Sequence, residues 1–427
     1  MEYDFYRLAN GVRVVLCPMK GVESAAVGVF VETGSRYEDG KNNGISHFLE
    51  HMVFKGTNKF PTPKDTSYLE GLGAIQNAWT DVDATAFWCK IPADKWREGL
   101  EVVKELALNP TIPPIDLEIE RGVILEEINR KEDRPDEISA EMFMELLYPD
   151  NALGLTTLGT SDGIKRMTRE QFIEYHQSQY VAGRIVVALA GKITKNKSQI
   201  TKQIEEWFGG LPKRRGKDFV PVKLAQKQPV TLVRNKDLTA QIHLQVGLPG
   251  VTVSDTRRFA LAVLTAYLGY GLSSRLFIEL REKRGLCYAV SAGESRLADT
   301  GIWSVYAGLN IDKTEEAIKA ILAEMARLKT IPLSEDELTA AKEKNRGPIL
   351  FSAENPVNVM NFFAKQVLDK PDQVMTFDEV INKLMQIDIK DITKVAEEVF
   401  LEKNLNLAMV GPVNQERAEK IKKLLKV

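Results

Sequence analysis

The stretch Arg184-Ile-Val-Val-Ala-Leu-Ala-Gly191 has a twin near the other end of the chain, Asn404-Leu-Asn-Leu-Ala-Met-Val-Gly411. Both are short, mostly apolar runs that end at a glycine, the pattern of a strand buried on both faces. Each follows a segment of helical period, Met167 to Tyr180 and Asp388 to Leu401. Each also precedes another, Lys197 to Phe208 and Gln415 to Leu425.

The likeness extends to the start of each half. Gly11-Val-Arg-Val-Val-Leu-Cys17 leads into the alternating strand Ser24 to Val31, and Pro229-Val-Thr-Leu-Val-Arg234 leads into Ala240 to Gly247. The chain therefore reads as two copies of one unit of roughly 210 residues. The polar, Pro- and Lys-containing stretch Leu211 to Gln228 joins them. The expected division is a first domain over 1–212, a linker over 213–228 and a second domain over 229–427. Strands come as neighbouring hairpins with helices in blocks between them. That predicts an α+β chain of two homologous α/β sandwich domains, each a mainly antiparallel sheet with helices packed on it. Neither a Gly-x-Gly-x-x-Gly fingerprint nor a phosphate loop occurs.

Composition fits this plan. At 427 residues the chain is too long for one ordinary core. Its 44% hydrophobic and 27% charged content is that of a globular protein rather than a disordered one. A net charge of -2 lacks the basic excess of a nucleic-acid binder. Cys17, Cys89 and Cys287 are far apart, so neither a disulfide framework nor a Cys-type zinc site is expected. The N-terminus Met-Glu-Tyr-Asp-Phe-Tyr lacks the basic and apolar regions of a secretory signal. No run reaches the 18 or so apolar residues of a membrane span. The expectation is a cytoplasmic protein with neither a membrane nor a nucleic-acid partner.

The chemistry concentrates at His47-Phe48-Leu49-Glu50-His51. Asn43 to Lys55 reads as the start of a helix capped by Ser46, and positions i, i+3 and i+4 share a helical face. Two imidazoles one turn apart suit a single zinc ion, and Glu50 between them is placed to act as base toward a water there. The order is H-x-x-E-H, the inverse of H-E-x-x-H. A lone histidine is more often a core or surface residue than a ligand. Here two of the four histidines of the chain flank a glutamate within five positions.

A catalytic zinc usually takes three protein ligands. His176, on a polar helix, and His243, in a second-half strand, read better as ordinary part-buried residues. The segment Asp116 to Lys131 supplies a carboxylate instead. Leu117, Val123, Ile124 and Ile128 are expected on one face, and at about 100° per residue Glu120 and Glu127 nearly eclipse each other among them. Glu126 points away. A carboxylate in an apolar stripe needs a partner. Glu127 is the expected third ligand, with Glu120 behind it as an orienting or proton-handling group. Two salt-bridged surface acids are the competing reading of the same helix.

With these residues in view, the sequence resembles the pitrilysin-type inverzincin metallopeptidases, most closely their half-length bacterial members, which are similar to mitochondrial processing peptidase. The runs Gly44-Ile-Ser-His-Phe-Leu-Glu-His-Met-Val-Phe-Lys-Gly-Thr57 and Glu120-Arg-Gly-Val-Ile-Leu-Glu-Glu-Ile128 carry the resemblance. It implies a zinc endopeptidase with one Zn²⁺ per chain on His47, His51 and Glu127, with Glu50 catalytic and Glu120 auxiliary. Gln76-Asn-Ala-Trp-Thr80 matches an edge strand on which peptide substrate adds as a further strand, with Asn77 and Ala78 at the substrate positions. Read alone, it is an ordinary hairpin. Leu268-Gly-Tyr-Gly-Leu-Ser-Ser-Arg-Leu-Phe277 resembles the family's glycine-rich segment. Phe277 there matches a residue lining the substrate cleft, and Arg281 and Tyr288 match an Arg/Tyr pair that stabilises the developing oxyanion. Without the resemblance, Phe277 reads as core, Arg281 as a solvated helix charge and Tyr288 as a strand residue. The second half has no metal set: where the first reads His-Phe-Leu-Glu-His, it reads Leu261-Ala-Val-Leu-Thr265.

The half length implies a homodimer in which Arg281 and Tyr288 complete the partner's site in trans. A heterodimer with a metal-free paralogue, a non-catalytic assembly subunit and a metal hydrolase of another substrate class are the alternatives.

Overall fold

The computed structural model describes residues 2–426. It contains two compact units, each built on one sheet. The first sheet has strands β1 (Asp4–Arg7), β2 (Arg13–Pro18), β3 (Ser24–Val31), β4 (Ile75–Thr80), β5 (Thr85–Pro92) and β6 (Ile185–Gly191), in the order β1-β2-β6-β3-β5-β4. The second has β7 (Val230–Asn235), β8 (Ile242–Pro249), β9 (Cys287–Arg296), β10 (Gly301–Leu309) and β11 (Asn406–Gly411), in the order β7-β11-β8-β10-β9.

Without β1, the two orders are the same. In each sheet the twin apolar strand, β6 or β11, pairs parallel with the strand that opens its half and antiparallel with the next. All other pairings are antiparallel. The α+β expectation and the mainly antiparallel sheets hold. β6 and β11 are buried along their whole length, as strands covered on both faces must be.

The compact units do not follow the contiguous division at 212/229. The first comprises Met1–Ile128, Leu155–Val220 and Leu350–Asp378; the second comprises Asn129–Gly154, Pro221–Ile349 and Glu379–Val427. The helix Pro356–Asp369 packs on β6, β3 and β2, and the helix Pro135–Leu147 packs on β11, β8 and β7. Each sheet thus takes one covering helix from the other half of the sequence. Periodicity identifies such a helix as amphipathic but carries no information about which apolar sheet it covers.

Two local expectations are corrected. The helix bearing the His-Glu-His run spans Ile45–Val53 and starts from Gly44, in the left-handed region at φ 95°; Ser46 lies inside its first turn and does not cap it. The cap comes from outside the helix. Glu38 accepts hydrogen bonds from the backbone N–H of Gly44 and of Ser46, both at 2.8 Å. In the helix Pro114–Glu132, Leu117, Glu120 and Ile124 are buried and Ile128 is partly buried against the core, but Val123 is exposed. Val123 lies about 100° from Ile124 and shares a second, outward stripe with Ile115 and Ile119 at i, i+4 spacing. Among the described residues, no helix is long and apolar enough to cross a membrane.

Candidate metal centre

The motif helix Ile45–Val53 buries Ile45, Ser46, Phe48, Leu49, Met52 and Val53. The positions left partly open are His47, Glu50 and His51. The apolar residues fix the roll of the helix against the first core, and the polar three are presented together on the remaining face. Its entry is tightly built. A Cβ on Gly44 would come within 2.7 Å of the Leu158 carbonyl oxygen.

The helix Pro114–Glu132 brings Glu127 to this face. Its Oε2 lies 3.8 Å from His47 Nε2 and 3.9 Å from His51 Nε2. One donor atom from each of the three residues falls within 4.8 Å of the others, the one such group of His, Cys, Asp and Glu among the described residues. A tetrahedral zinc with bonds of about 2.0–2.2 Å holds its donors roughly 3.3–3.6 Å apart. The two Glu127–histidine gaps need to close by only a few tenths of an ångström, and no pair of donors by more than about 1.5 Å, which side-chain torsion supplies. The donor set fits such an ion.

Glu120 stands behind His51. Its Oε2 is 3.1 Å from His51 Nδ1, and its Oε1 is 2.5 Å from Lys55 Nζ. With Nδ1 donating to a carboxylate, Nε2 is the nitrogen with a free lone pair, and it is the one that faces Glu127. Glu120 and Glu127 are therefore near-eclipsed in the helix but not equivalent in surroundings.

Glu50 accepts a hydrogen bond from the Thr80 hydroxyl at 2.6 Å. Burial pushes its carboxyl above the ordinary range; Thr80 and the nearby His51 pull it back, and the Glu127 charge adds to the rise. An elevated carboxyl is better matched to taking up a proton near neutral pH.

β4, which ends in Thr80, is the edge of the first sheet. Asn77 lies opposite Trp88 and Ala78 opposite Phe87 in the inner neighbour, so the outer side of β4 offers backbone groups to a further strand.

Phe277, Arg281 and Tyr288 lie together in the second unit. Phe277–Glu282 is a π-helical turn, and the Arg281 guanidinium sits 4.8 Å from the Phe277 ring centre and 5.2 Å from that of Tyr288. Tyr288 is 70% exposed on the edge strand β9, beside a cleft of 510 Å³. Phe277 itself is buried, as its core reading expected. Leu261 to Thr265 are wholly buried in the helix Arg258–Gly269.

The other histidines have ordinary partners. His176 Nε2 is 2.8 Å from the Ala107 carbonyl oxygen, and His243 Nδ1 is 3.0 Å from the Tyr306 hydroxyl.

The sequence reading did not single out Thr80, Lys55 or Glu38. Thr80 shares its strand face with Ala78, two residues away, and that alternation was the available signal. Nothing local marks Lys55 or Glu38.

Residues 13–161 match the insulinase family, peptidase family M16, and residues 166–345 match the peptidase M16 inactive domain. An uncharacterized zinc protease of Streptomyces coelicolor is 32% identical over 423 residues, 97% of this chain and 90% of the relative. The uncharacterized zinc protease YmxG of Bacillus subtilis is 32% identical over 407 residues, 95% and 98% of the two chains. Among solved structures, a protease from Helicobacter pylori superposes with a TM-score of 0.90 at 23% identity, covering 96% of this chain and 99% of that one. A peptidase M16 inactive domain from Pseudomonas fluorescens gives 0.88 at 18% identity over 97% and 98%. These two speak for the fold. Taken with the two family matches and the near full-length relatives, they lead to one conclusion: this chain belongs to peptidase family M16, the pitrilysin-type family.

Proposed function

We propose that the protein is a zinc-dependent endopeptidase acting on peptides or unfolded polypeptides. The observation that carries this reading is the His47, His51 and Glu127 donor set with Glu50 held beside it by Thr80. Zinc, bound by the three donors at one per chain, supplies Lewis-acid polarisation of water and of the scissile carbonyl. Glu50 removes the proton of the attacking water and delivers it to the leaving amine. The outer side of β4 at Asn77 and Ala78 holds the substrate backbone as an added strand. Glu120 orients His51. Arg281 and Tyr288 donate to the developing oxyanion.

The test is cleavage of a peptide library by wild type and Glu50→Gln, with bound metal measured in both. Zinc retained with cleavage lost, by roughly 100–10,000-fold, is the expected result. Cleavage retained by Glu50→Gln would refute the base assignment. Turnover of esters but not peptides would move the substrate class.

The exposed Tyr288 beside Arg281 favours an active site completed in trans by the second half of another copy, in a homodimer. Mixing Glu50→Gln and Tyr288→Phe chains restores one intact site per mixed dimer on this reading. No recovery despite proven subunit exchange sinks it, and a heterodimer with a metal-free paralogue then takes its place. The three cysteines are free and buried, which supports a reducing compartment such as the cytoplasm.

A further inference from the structure

We infer that Lys55 is a positioning residue for the metal centre: its ammonium holds Glu120 against Nδ1 of His51 and so keeps Glu120 out of the ligand set. This rests on the metal reading proposed above.

Two carboxylates seven residues apart on one helix have the same chemistry and nearly the same direction. Helix geometry does not choose between them as ligands; their surroundings do. Glu120 is buried between Leu117 and Ile124 on the inward face. A buried carboxylate needs a counter-charge and a hydrogen-bond donor. Lys55 meets Oε1 at 2.5 Å and His51 Nδ1 meets Oε2 at 3.1 Å, so each oxygen has a partner. The Glu127 Oε2 instead lies toward the Nε2 atoms of both histidines.

Lys55 is well placed to do this. It follows the motif helix directly, in a turn closed by its backbone N–H on the Met52 carbonyl at 3.1 Å. The ammonium therefore moves with His51, four residues earlier. The arrangement is a closed chain: Lys55 fixes Glu120, Glu120 fixes the His51 ring and its tautomer, and Nε2 is left to face the ion. Without the ammonium, Glu120 loses its counter-charge in an apolar site, and its hold on the ring is no longer fixed from behind.

The experiment is zinc affinity by chelator competition on the full chain, for wild type, Lys55→Met, Lys55→Arg, Glu120→Gln and the double variant Lys55→Met/Glu120→Gln. Melting temperatures of the metal-free proteins are measured alongside. Lys55→Met is expected to weaken zinc binding by about 10–100-fold, the usual cost of losing an outer partner of a metal ligand. Lys55→Arg is expected to keep most of the affinity. The double variant is expected to bind no more weakly than Glu120→Gln alone, because Lys55 acts through Glu120.

A Lys55→Met protein with wild-type zinc affinity and a lowered metal-free melting temperature marks a merely structural ion pair and overturns the inference. Additive losses in the double variant overturn it as well. If Lys55→Met yields no folded protein, Lys55→Gln carries the same comparison. Wild type that binds no zinc brings down the metal reading and this inference together; wild type that binds zinc beside an unaffected Lys55→Met brings down this inference alone.

Discussion

Thr80 Oγ1 donates to Glu50 Oε2 at 2.6 Å, joining the last residue of an edge strand to the middle of the motif helix. The strand that carries Asn77 and Ala78 and the helix that carries the base are thereby held in one frame. A hydrogen bond to a charged group is worth about 1.5–3 kcal/mol. Thr80→Val is expected to lower kcat roughly 10–100-fold while leaving zinc content unchanged, and Thr80→Ser to restore most of it. Steady-state kinetics with metal analysis checks this. A Thr80→Val enzyme at full turnover removes the role assigned to the bond.

Metal removal reads out the ligand set without reference to turnover. An ion that binds only the folded chain stabilises it by about 2.7 kcal/mol at a free concentration of 100 times Kd. The melting temperature is therefore expected to rise on adding zinc to chelated wild type, and to rise much less in His51→Ala or Glu127→Ala. Differential scanning calorimetry measures it. Equal zinc shifts in wild type and Glu127→Ala would argue that Glu127 is not a ligand.

Glu38 carries a pH-dependent part of the stability. Burial pushes its carboxyl from 4.5 up to about 7, against the pull of its hydrogen bonds from Ser46, Gly44 and Asn43. The folded chain then binds more protons than the unfolded chain between these values, so stability falls as pH rises. The contribution is fully present below the unfolded value of 4.5 and is lost as pH passes about 7. Its size is on the order of a few kcal/mol. Denaturant unfolding of the metal-free protein from pH 4.5 to 8 is expected to show this decline, and Glu38→Gln to make it shallower, with the buried Asp369 carboxyl, also pushed up to about 7, supplying a remainder of the same sign. A decline of the same size in Glu38→Gln would assign it to other groups.

Gly44 tests the seating of the motif helix. Its φ of 95° is strained for any other L-residue, and a Cβ there meets the Leu158 carbonyl oxygen at 2.7 Å. Gly44→Ala is expected to cost about 1–3 kcal/mol from backbone strain alone, with the close contact adding to it. Equilibrium unfolding measures the loss. Gly21→Ala is the control: its φ is also positive, at 77°, but no atom lies within 4 Å of the added carbon.

Much of this molecule is written in short-range pattern. The spacing of His47, Glu50 and His51 places them on one helical face wherever that helix lies, because the rotation per residue is fixed. Ser24–Val31 is a strand with the limits its alternation predicted, and Lys197–Phe208 is a helix with the limits its period predicted. The twin strands Ile185–Gly191 and Asn406–Gly411 disclosed the repeat, because each must be apolar on both faces.

Tertiary structure decided what pattern leaves degenerate. Glu120 and Glu127 share a direction on their helix, and only long-range contacts separate their surroundings: Glu120 meets Lys55 and Nδ1 of His51, 69 residues away, while Glu127 faces Nε2 of both histidines. Val123 and Ile124 are equally apolar, and only packing chose which is buried. Thr80 reaches Glu50 across 30 residues, and Glu38 caps a helix from beyond its own start. The helices Pro135–Leu147 and Pro356–Asp369 cover sheets from the other half of the sequence. Periodicity along a chain reports which side of an element is apolar. Which partner that side meets depends on chain folding over long separations, and no local repeat encodes it.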